Sequence, residues 1–221
     1  MKSVTSPWNA RARKRDWALG LLLFPLALWL ASCGGVPRTN YYTLSVPPPP
    51  AAHDPKTAAI VGVERFRASD VLRDDRIVYY ASPTQLNFYQ YHRWSADPAT
   101  MLTELIARRL QQTGVFAAVH LLPSREPVDY LLRGRLTNFE EVDGAAAVKA
   151  RVGLEMMLIR VRDHKILWSD SRREESAAEG KGVPAVVQAV NAASERLLEG
   201  ALPGLVAKVE EDSRQNAQAS P

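Results

Sequence analysis

Cys33 is the residue whose type and position most clearly predict chemistry. It is the only cysteine among the 221 residues, it follows an apolar run over 17–30, and the small residues Ala31 and Ser32 stand directly before it. A thiolate is the strongest side-chain nucleophile available near neutral pH. Because small residues let a chain enter the narrow site of a membrane-embedded peptidase, we expect cleavage and modification of the thiol at this point.

The segment before Cys33 is built like a secretory signal, with a basic start, an apolar middle and a small-residue exit. Its basic residues are Lys2, Arg11, Arg13, Lys14 and Arg15. With the cysteine at the cut, Leu30-Ala31-Ser32-Cys33 resembles the bacterial lipobox. The resemblance implies a signal peptide over 1–32 and a mature chain whose Cys33 carries a diacylglycerol and an N-acyl chain such as palmitate. These chains would anchor the protein in a membrane.

Two other interpretations of this segment stay open: an ordinary buried thiol at Cys33, or a transmembrane helix over 17–30. The helix would need about 20 apolar residues, more than this run supplies. No Arg-Arg pair precedes the run, so the general secretory route fits better than the twin-arginine route. In similar lipoproteins an aspartate after the cysteine often retains the protein at the inner membrane. Gly34 stands there instead, which favours the outer membrane, facing the periplasm.

The charge of the mature chain excludes a nucleic-acid binder. The full chain has 28 Lys and Arg against 24 Asp and Glu, but five of these basic residues and one acid lie in 1–32. About 23 of each sign therefore remain, with no formal net charge, whereas nucleic-acid binding needs a basic stripe. The mature chain also lacks a second cysteine, so its stability depends on a buried core rather than on an internal disulfide.

No catalytic, metal or cofactor motif stands out in the sequence. The four histidines share no metal-ligand spacing, namely His53, His92, His120 and His164. No nucleophile elbow, phosphate-binding loop or dinucleotide fingerprint is present. Asp74-Asp75 and Glu140-Glu141 are adjacent acids, which point to opposite faces of a strand and make a poor acid–base pair. We therefore expect a protein that is not an enzyme and holds no metal or cofactor.

Aromatic residues crowd into one predicted β-hairpin, formed by strands over 76–81 and 85–91. These residues and a neighbouring arginine are candidates for partner binding: Tyr79, Tyr80, Phe88, Tyr89, Tyr91, Arg93 and Trp94. Adjacent aromatics such as Tyr79 and Tyr80 must face opposite sides of the strand. One side can enter the core, and the other needs either a cover, which a helix over 97–113 could supply, or a partner. The sequence favours the covering helix.

The remaining pattern predicts an α/β fold: a single compact domain with a mixed, largely antiparallel sheet of about five or more strands and two main flanking helices. Further strands are expected over 41–46, 60–66, 115–122, 129–139, 148–161 and from 166 onward, and helices over 97–113 and 184–198, with a shorter one over 205–212. The predicted segments are the signal peptide 1–32, the lipidated cysteine, short strand and proline-rich tether 33–57, one domain 58–212 and a disordered tail 213–221.

Several motifs together resemble the ABC-type transport auxiliary lipoprotein family. They are Tyr41-Tyr42-Thr43-Leu44 behind the lipid cysteine, Leu86-Asn87-Phe88 leading to His92-Arg93-Trp94, and Asp129-Tyr130 at the start of the predicted strand over 129–139. The stretch from the hairpin through His-Arg-Trp into the helix is the most specific part. The resemblance extends over roughly residues 40–205.

This resemblance implies a partner of MCE-domain lipid transporters, which join an inner-membrane ABC transporter to the outer membrane across the periplasm. The chain would be a non-catalytic auxiliary lipoprotein, bound to membrane lipid through Cys33 and to the MCE-domain protein through its folded domain. A homo-oligomer stays open. Two alternatives come from other classes: an envelope lipoprotein that activates peptidoglycan synthesis or builds a secretion pore, and an envelope hydrolase.

Overall fold

The structure is a computed structural model that describes residues 37–45, 55–143 and 147–219. The predicted lipobox, with Leu30, Ala31, Ser32 and Cys33, lies outside these residues, as does most of the proline-rich tether. Residues Thr39–Pro221 form one compact unit. In the described part this unit contains a nine-stranded sheet and two α-helices.

Nine strands, two α-helices and one 3-10 turn follow one another along the described part of the chain. The strands are β1 Asn40–Tyr42, β2 Ile60–Val63, β3 Arg67–Ala68, β4 Arg76–Ser82, β5 Gln85–Trp94, β6 Ala118–Leu121, β7 Tyr130–Asp143, β8 Val148–Arg160 and β9 Lys165–Ala177. The helices are α1 Pro98–Gln112 and α2 Val183–Ala219, and a 3-10 turn spans Asp70–Arg73. The predicted hairpin is confirmed as β4–β5, and the strands predicted over 129–139, 148–161 and from 166 onward form the antiparallel meander β7–β8–β9.

Strand β7 joins the two halves of the sheet. Along one edge it pairs antiparallel with β8, which in turn pairs with β9. Along the other edge three shorter strands follow one another, all parallel to it: β2 beside 130–132, β3 beside 135–136 and β4 beside 140–142. Strand β6 extends the sheet beyond β2, and β5 and β1 extend it beyond β4.

The predicted α/β domain with two helices is confirmed, but the sheet is less antiparallel than expected. Five of its pairings are parallel, because β2, β3 and β4 all run alongside β7, β6 alongside β2, and β1 alongside β5. Parallel neighbours need crossover connections, so they come from distant parts of the chain. A local pattern of alternating residues does not reveal which distant strand will be the neighbour.

Helix α1 begins and ends as its sequence predicts. The Asp97 carboxylate accepts a hydrogen bond from the Thr100 N–H at 3.0 Å, and Pro98 occupies the first turn. Gly114 follows the helix with a φ of 65°, in the left-handed region that favours glycine. The apolar positions face the sheet and are buried, namely Met101, Leu102, Leu105, Ile106 and Leu110. Arg109 and Glu195 form an ion pair of 3.6 Å that joins α1 to α2.

Helix α2 corrects two expectations. The sequence predicts a break at Gly200 and Pro203 and a disordered tail over 213–221, yet one helix runs from Val183 to Ala219 through the proline and through most of that tail. A buried stripe at helical spacing holds it against the sheet: Val190, Leu197, Ala201, Leu205 and Val209. Because packing of such a stripe supplies most of a helix's stability, it outweighs the cost of about 3 kcal/mol for an interior proline.

The glycines in α2 have a packing reason. A Cβ at Gly200 would lie 2.7 Å from the Arg172 guanidinium, and one at Gly204 would lie 3.0 Å from the Trp168 indole nitrogen. Both of these side chains belong to β9. The helix therefore approaches these β9 side chains closely at its two glycines, and a larger residue there would require Arg172 or Trp168 to shift.

The last turns of α2 are held by a buried carboxylate. Asp212 is only 6% exposed; it accepts a hydrogen bond from the Tyr130 hydroxyl at 2.8 Å and one from the Arg160 guanidinium. Arg160 also pairs with Asp163 in the turn after β8. These contacts tie the helix end to the start of β7 and the end of β8.

We predict that Asp212→Ala destabilises the fold by about 2–4 kcal/mol, since it leaves the buried Tyr130 hydroxyl and part of the Arg160 guanidinium unpaired. Urea unfolding followed by circular dichroism measures this change. The matched control is Glu211→Ala, which removes a neighbouring exposed carboxylate and should change the unfolding free energy far less, because exposed ion pairs contribute little to stability. Equal losses in the two variants would contradict the role assigned to Asp212.

Candidate interaction site

The aromatic hairpin is irregular, and this irregularity decides which side chains meet. Val78 lies opposite Phe88, whereas Arg76, two residues earlier in β4, lies opposite Arg93, five residues later in β5. Strand β5 therefore bulges between Phe88 and Arg93. In a regular strand Tyr89 and His92, three positions apart, would face opposite sides of the sheet. The bulge breaks this alternation, so both side chains lie on the same side.

Four rings form a cluster on that side, here called the tyrosine–histidine cluster: Tyr42, Tyr79, Tyr89 and His92. Tyr79 and Tyr89 are tilted with ring centroids 4.9 Å apart, and Tyr89 meets His92 edge-on at 5.9 Å. Tyr42 stacks on His92 at 5.7 Å, and its hydroxyl lies 2.8 Å from the His92 Nδ1. All four side chains are half-buried. Of these four residues, the sequence predicts Tyr79 and Tyr89 as binding candidates, whereas Tyr42 and His92 join the cluster only through the pairing of β1 with β5.

Glu141 fixes the cluster to the sheet. The Tyr89 hydroxyl donates a hydrogen bond to the Glu141 carboxylate at 2.8 Å, and Glu141 is 5% exposed. Burial raises the pKa of Glu141, although the hydrogen bond from Tyr89 opposes this. Burial, followed by the bond to the carboxylate, raises the pKa of Tyr89. The phenol therefore stays protonated and keeps its ring in one orientation.

The other aromatic residues of the hairpin pack differently. Phe88 lies under the Arg76 guanidinium, 3.9 Å from the ring centroid, and Tyr80 lies between Leu86 of β5 and Val142 of β7 in cross-strand register. Tyr80 and Phe88 are partly buried against the core. They contribute to the hairpin's attachment more than to its exposed surface.

The base of the hairpin is a core element. Trp94 is 1% exposed and meets Phe139 edge-on at 5.1 Å. Asp75 accepts hydrogen bonds at two points: its carboxylate pairs with Arg93, and its carbonyl receives the Trp94 N–H at 2.6 Å. Arg93 thus bonds to the start of β4, and Trp94 lies too deep to touch a partner directly.

The helix over 97–113 does not cover the hairpin in the way the sequence favoured. The main contacts of α1 are with β6, β7 and the 3-10 turn. All four tyrosines of the hairpin remain partly exposed: Tyr79, Tyr80, Tyr89 and Tyr91. The hairpin therefore presents an aromatic surface, and the buried carboxylate beneath it is that of Glu141.

The adjacent acids of β7 do not form an acid–base pair. Glu140 accepts hydrogen bonds from the Asn138 amide and the Phe139 N–H, both at 2.8 Å, whereas Glu141 accepts one from the Tyr89 hydroxyl. The two carboxylates therefore share none of these hydrogen-bond donors. In the described ranges no three His, Cys, Asp or Glu side chains gather closely enough to hold a metal ion.

Over the part of the chain that the structure covers, no helix combines the length and the apolar character needed to cross a bilayer.

Comparison with known proteins gives one family and one fold. A family model described as "ABC-type transport auxiliary lipoprotein component" matches residues 42–200. A crystal structure of a protein from Xanthomonas campestris is similar with a TM-score of 0.69 at 22% identity, covering 79% of this chain and 99% of that one. A second, of an uncharacterized protein, has a TM-score of 0.58 at 14% identity and covers 74% and 96%. Proteins of curated function give no match.

The raised pKa of Glu141 predicts a specific pH dependence. Its folded pKa lies above the ordinary 4.5, so the folded state binds more protons than the unfolded state in that window and loses stability as the pH rises through it. Glu141→Gln keeps an acceptor for Tyr89 but cannot ionise. Relative to this variant, the wild type should become less stable as the pH rises above 4.5, and the difference should become constant above the raised pKa of Glu141. Urea unfolding at several pH values measures this difference.

The control for this prediction has the opposite sign. The Arg151 hydrogen bond lowers the pKa of Glu175 below 4.5, so the Glu175 charge contributes stability above pH 4.5 that is lost as the pH falls through the lowered pKa. Relative to Glu175→Gln, the wild type should therefore gain stability as the pH rises. If the difference in unfolding free energy between the wild type and Glu141→Gln does not change with pH, Glu141 does not have a raised pKa in the folded state.

Proposed function

Since the chain belongs to the ABC-type transport auxiliary lipoprotein family, we propose that it is a non-catalytic adaptor of an MCE-domain lipid transporter at the outer membrane. Acyl chains on Cys33 hold it in the inner leaflet, and its folded domain binds the end of the periplasmic MCE conduit. The single observation that carries this proposal is the family match over residues 42–200, directly behind a lipobox-like segment.

The short tether supports an anchored adaptor. An extended chain reaches about 3.5 Å per residue, so the seven steps from Cys33 to Asn40 keep β1 within about 25 Å of the lipidated cysteine. The anchored domain is therefore confined to a thin layer of solution next to the membrane. This confinement raises the effective concentration of a partner that also reaches the membrane, so a modest contact area is enough for binding.

The hairpin is the surface best suited to this contact. Tyr79, Tyr89 and Tyr91 are partly exposed, and tyrosines dominate the energetics of protein interfaces because they bring large area at low entropic cost. Glu141 holds Tyr89 in place, so little further freedom is lost on binding. We assign the MCE-domain contact to this hairpin.

We predict that Tyr79→Ala and Tyr91→Ala each weaken binding of residues 34–221 to the MCE-domain protein by about tenfold or more. Neither side chain bonds to the buried Glu141, so the fold should survive, as circular dichroism would verify. The dissociation constant is measured by surface plasmon resonance with the MCE-domain protein immobilised. The matched control is Tyr41→Ala, since Tyr41 is 65% exposed and lies outside the hairpin. If the Tyr41→Ala variant loses as much affinity as the others, the hairpin is not the contact.

Membrane fractionation tests the anchor and its location separately. Cys33→Ser should remove the protein from the outer-membrane fraction, because the thiol that takes the lipid is gone. Gly34→Asp should leave it lipidated and shift it to the inner membrane, while Thr39→Asp, with the same charge further along the tether, should not. Persistence of the Cys33→Ser variant in washed outer membranes would refute the anchor, and a Gly34→Asp variant that stays in the outer membrane would refute the sorting.

A further inference from the structure

The face of the sheet opposite the helices carries a set of charged side chains in cross-strand register. Arg67 of β3 lies beside Arg135 of β7, which lies opposite Glu155 of β8. These residues line an open groove of about 890 Å³ together with Arg133 and Met157. We call this surface the arginine face.

Two of the four arginines on the arginine face form no ion pair in the described part of the chain, although the Glu155 carboxylate lies in register with one of them, Arg135. Arg65 pairs with Asp97 at 2.8 Å and Arg133 with Glu64 at 2.9 Å. Arg67 and Arg135 are exposed and form no ion pair within the described part of the chain. Neighbouring strands lie about 4.8 Å apart, so two like charges in register repel each other. Glu155 offsets part of this repulsion from the other side of Arg135, and a bound anion would relieve the rest.

Apolar residues continue the same face away from the two arginines. Met157, two residues after Glu155 in β8, lies opposite Arg133 of β7. Two residues further along β8, Ile159 lies opposite Ile166 of β9. Met157 is 40% exposed and Ile166 is 56% exposed. The surface thus passes from a pair of guanidinium groups to exposed aliphatic side chains, which is the pattern that matches an anionic amphiphile.

We propose that the arginine face binds the phosphate groups of anionic phospholipids at the membrane surface. Guanidinium groups match phosphate oxygens in a bidentate manner, and Met157 and Ile166 contact the glycerol and acyl boundary beside them. If Cys33 carries lipid as proposed above, residues 34–39 hold β1 within about 25 Å of the membrane anchor, so the domain stays within reach of this surface. This contact goes beyond the transporter role, and it uses residues other than the hairpin tyrosines.

Vesicle flotation of residues 39–221 tests this proposal. That segment is one compact unit and contains every core residue described, so it folds without the anchor. It should bind vesicles containing phosphatidylglycerol and not neutral phosphatidylcholine vesicles. Each cation near an anionic surface contributes about fivefold in affinity, so the double variant Arg67→Gln/Arg135→Gln should bind about 25-fold more weakly.

The control variant Arg108→Gln/Lys181→Gln removes the same charge from two exposed positions outside the groove, one on α1 and one in the turn before α2, and should lose less than about threefold. Met157→Gln should weaken binding severalfold with the charge unchanged. An equal loss in the control, equal binding to neutral vesicles, or equally strong capture by poly-glutamate would each overturn the proposal. Binding of the double variant to the MCE-domain protein should be unchanged, so failure here is distinct from failure of the transporter role.

Discussion

The fold depends on one long strand whose two edges are both occupied. β7 pairs with β8 along one edge and with β2, β3 and β4 in turn along the other. Its side chains Leu132, Leu136 and Phe139 are buried beneath the helices. Only its last residues, 140–142, hold the hairpin β4–β5. The aromatic surface therefore attaches at the far end of the sheet, where it stays open, and the arginine face occupies the middle.

The chemistry of the hairpin follows from its attachment to the end of β7. Glu141 belongs to the paired part of that strand and is buried, so it serves as a fixed acceptor for Tyr89. The bulge in β5 then places His92 beside Tyr89 and brings in Tyr42 from β1. The cluster is a structural unit that positions side chains and fits a binding role. The arrangement is consistent with the non-catalytic auxiliary component that the family implies.

Features set by neighbouring residues could be predicted from the sequence, and features set by distant residues could not. The cap at Asp97, the turn after α1 at Gly114 and the hairpin each depend on a few adjacent positions. The parallel pairings of β7 and the meeting of Tyr42 with His92 depend on residues far apart in the chain. The continuous helix through Pro203 depends on packing against β9, which no local propensity encodes. The lipidation of Cys33 stays a prediction.

Mass spectrometry of the mature N-terminal peptide, purified from a membrane of the host, tests the central claim that this domain is a lipid-anchored adaptor. The account predicts a mature chain that begins at Cys33 and carries a diacylglyceryl thioether and an amide-linked acyl chain. A mature peptide with a free thiol at Cys33, or one whose first residue lies elsewhere, would contradict it.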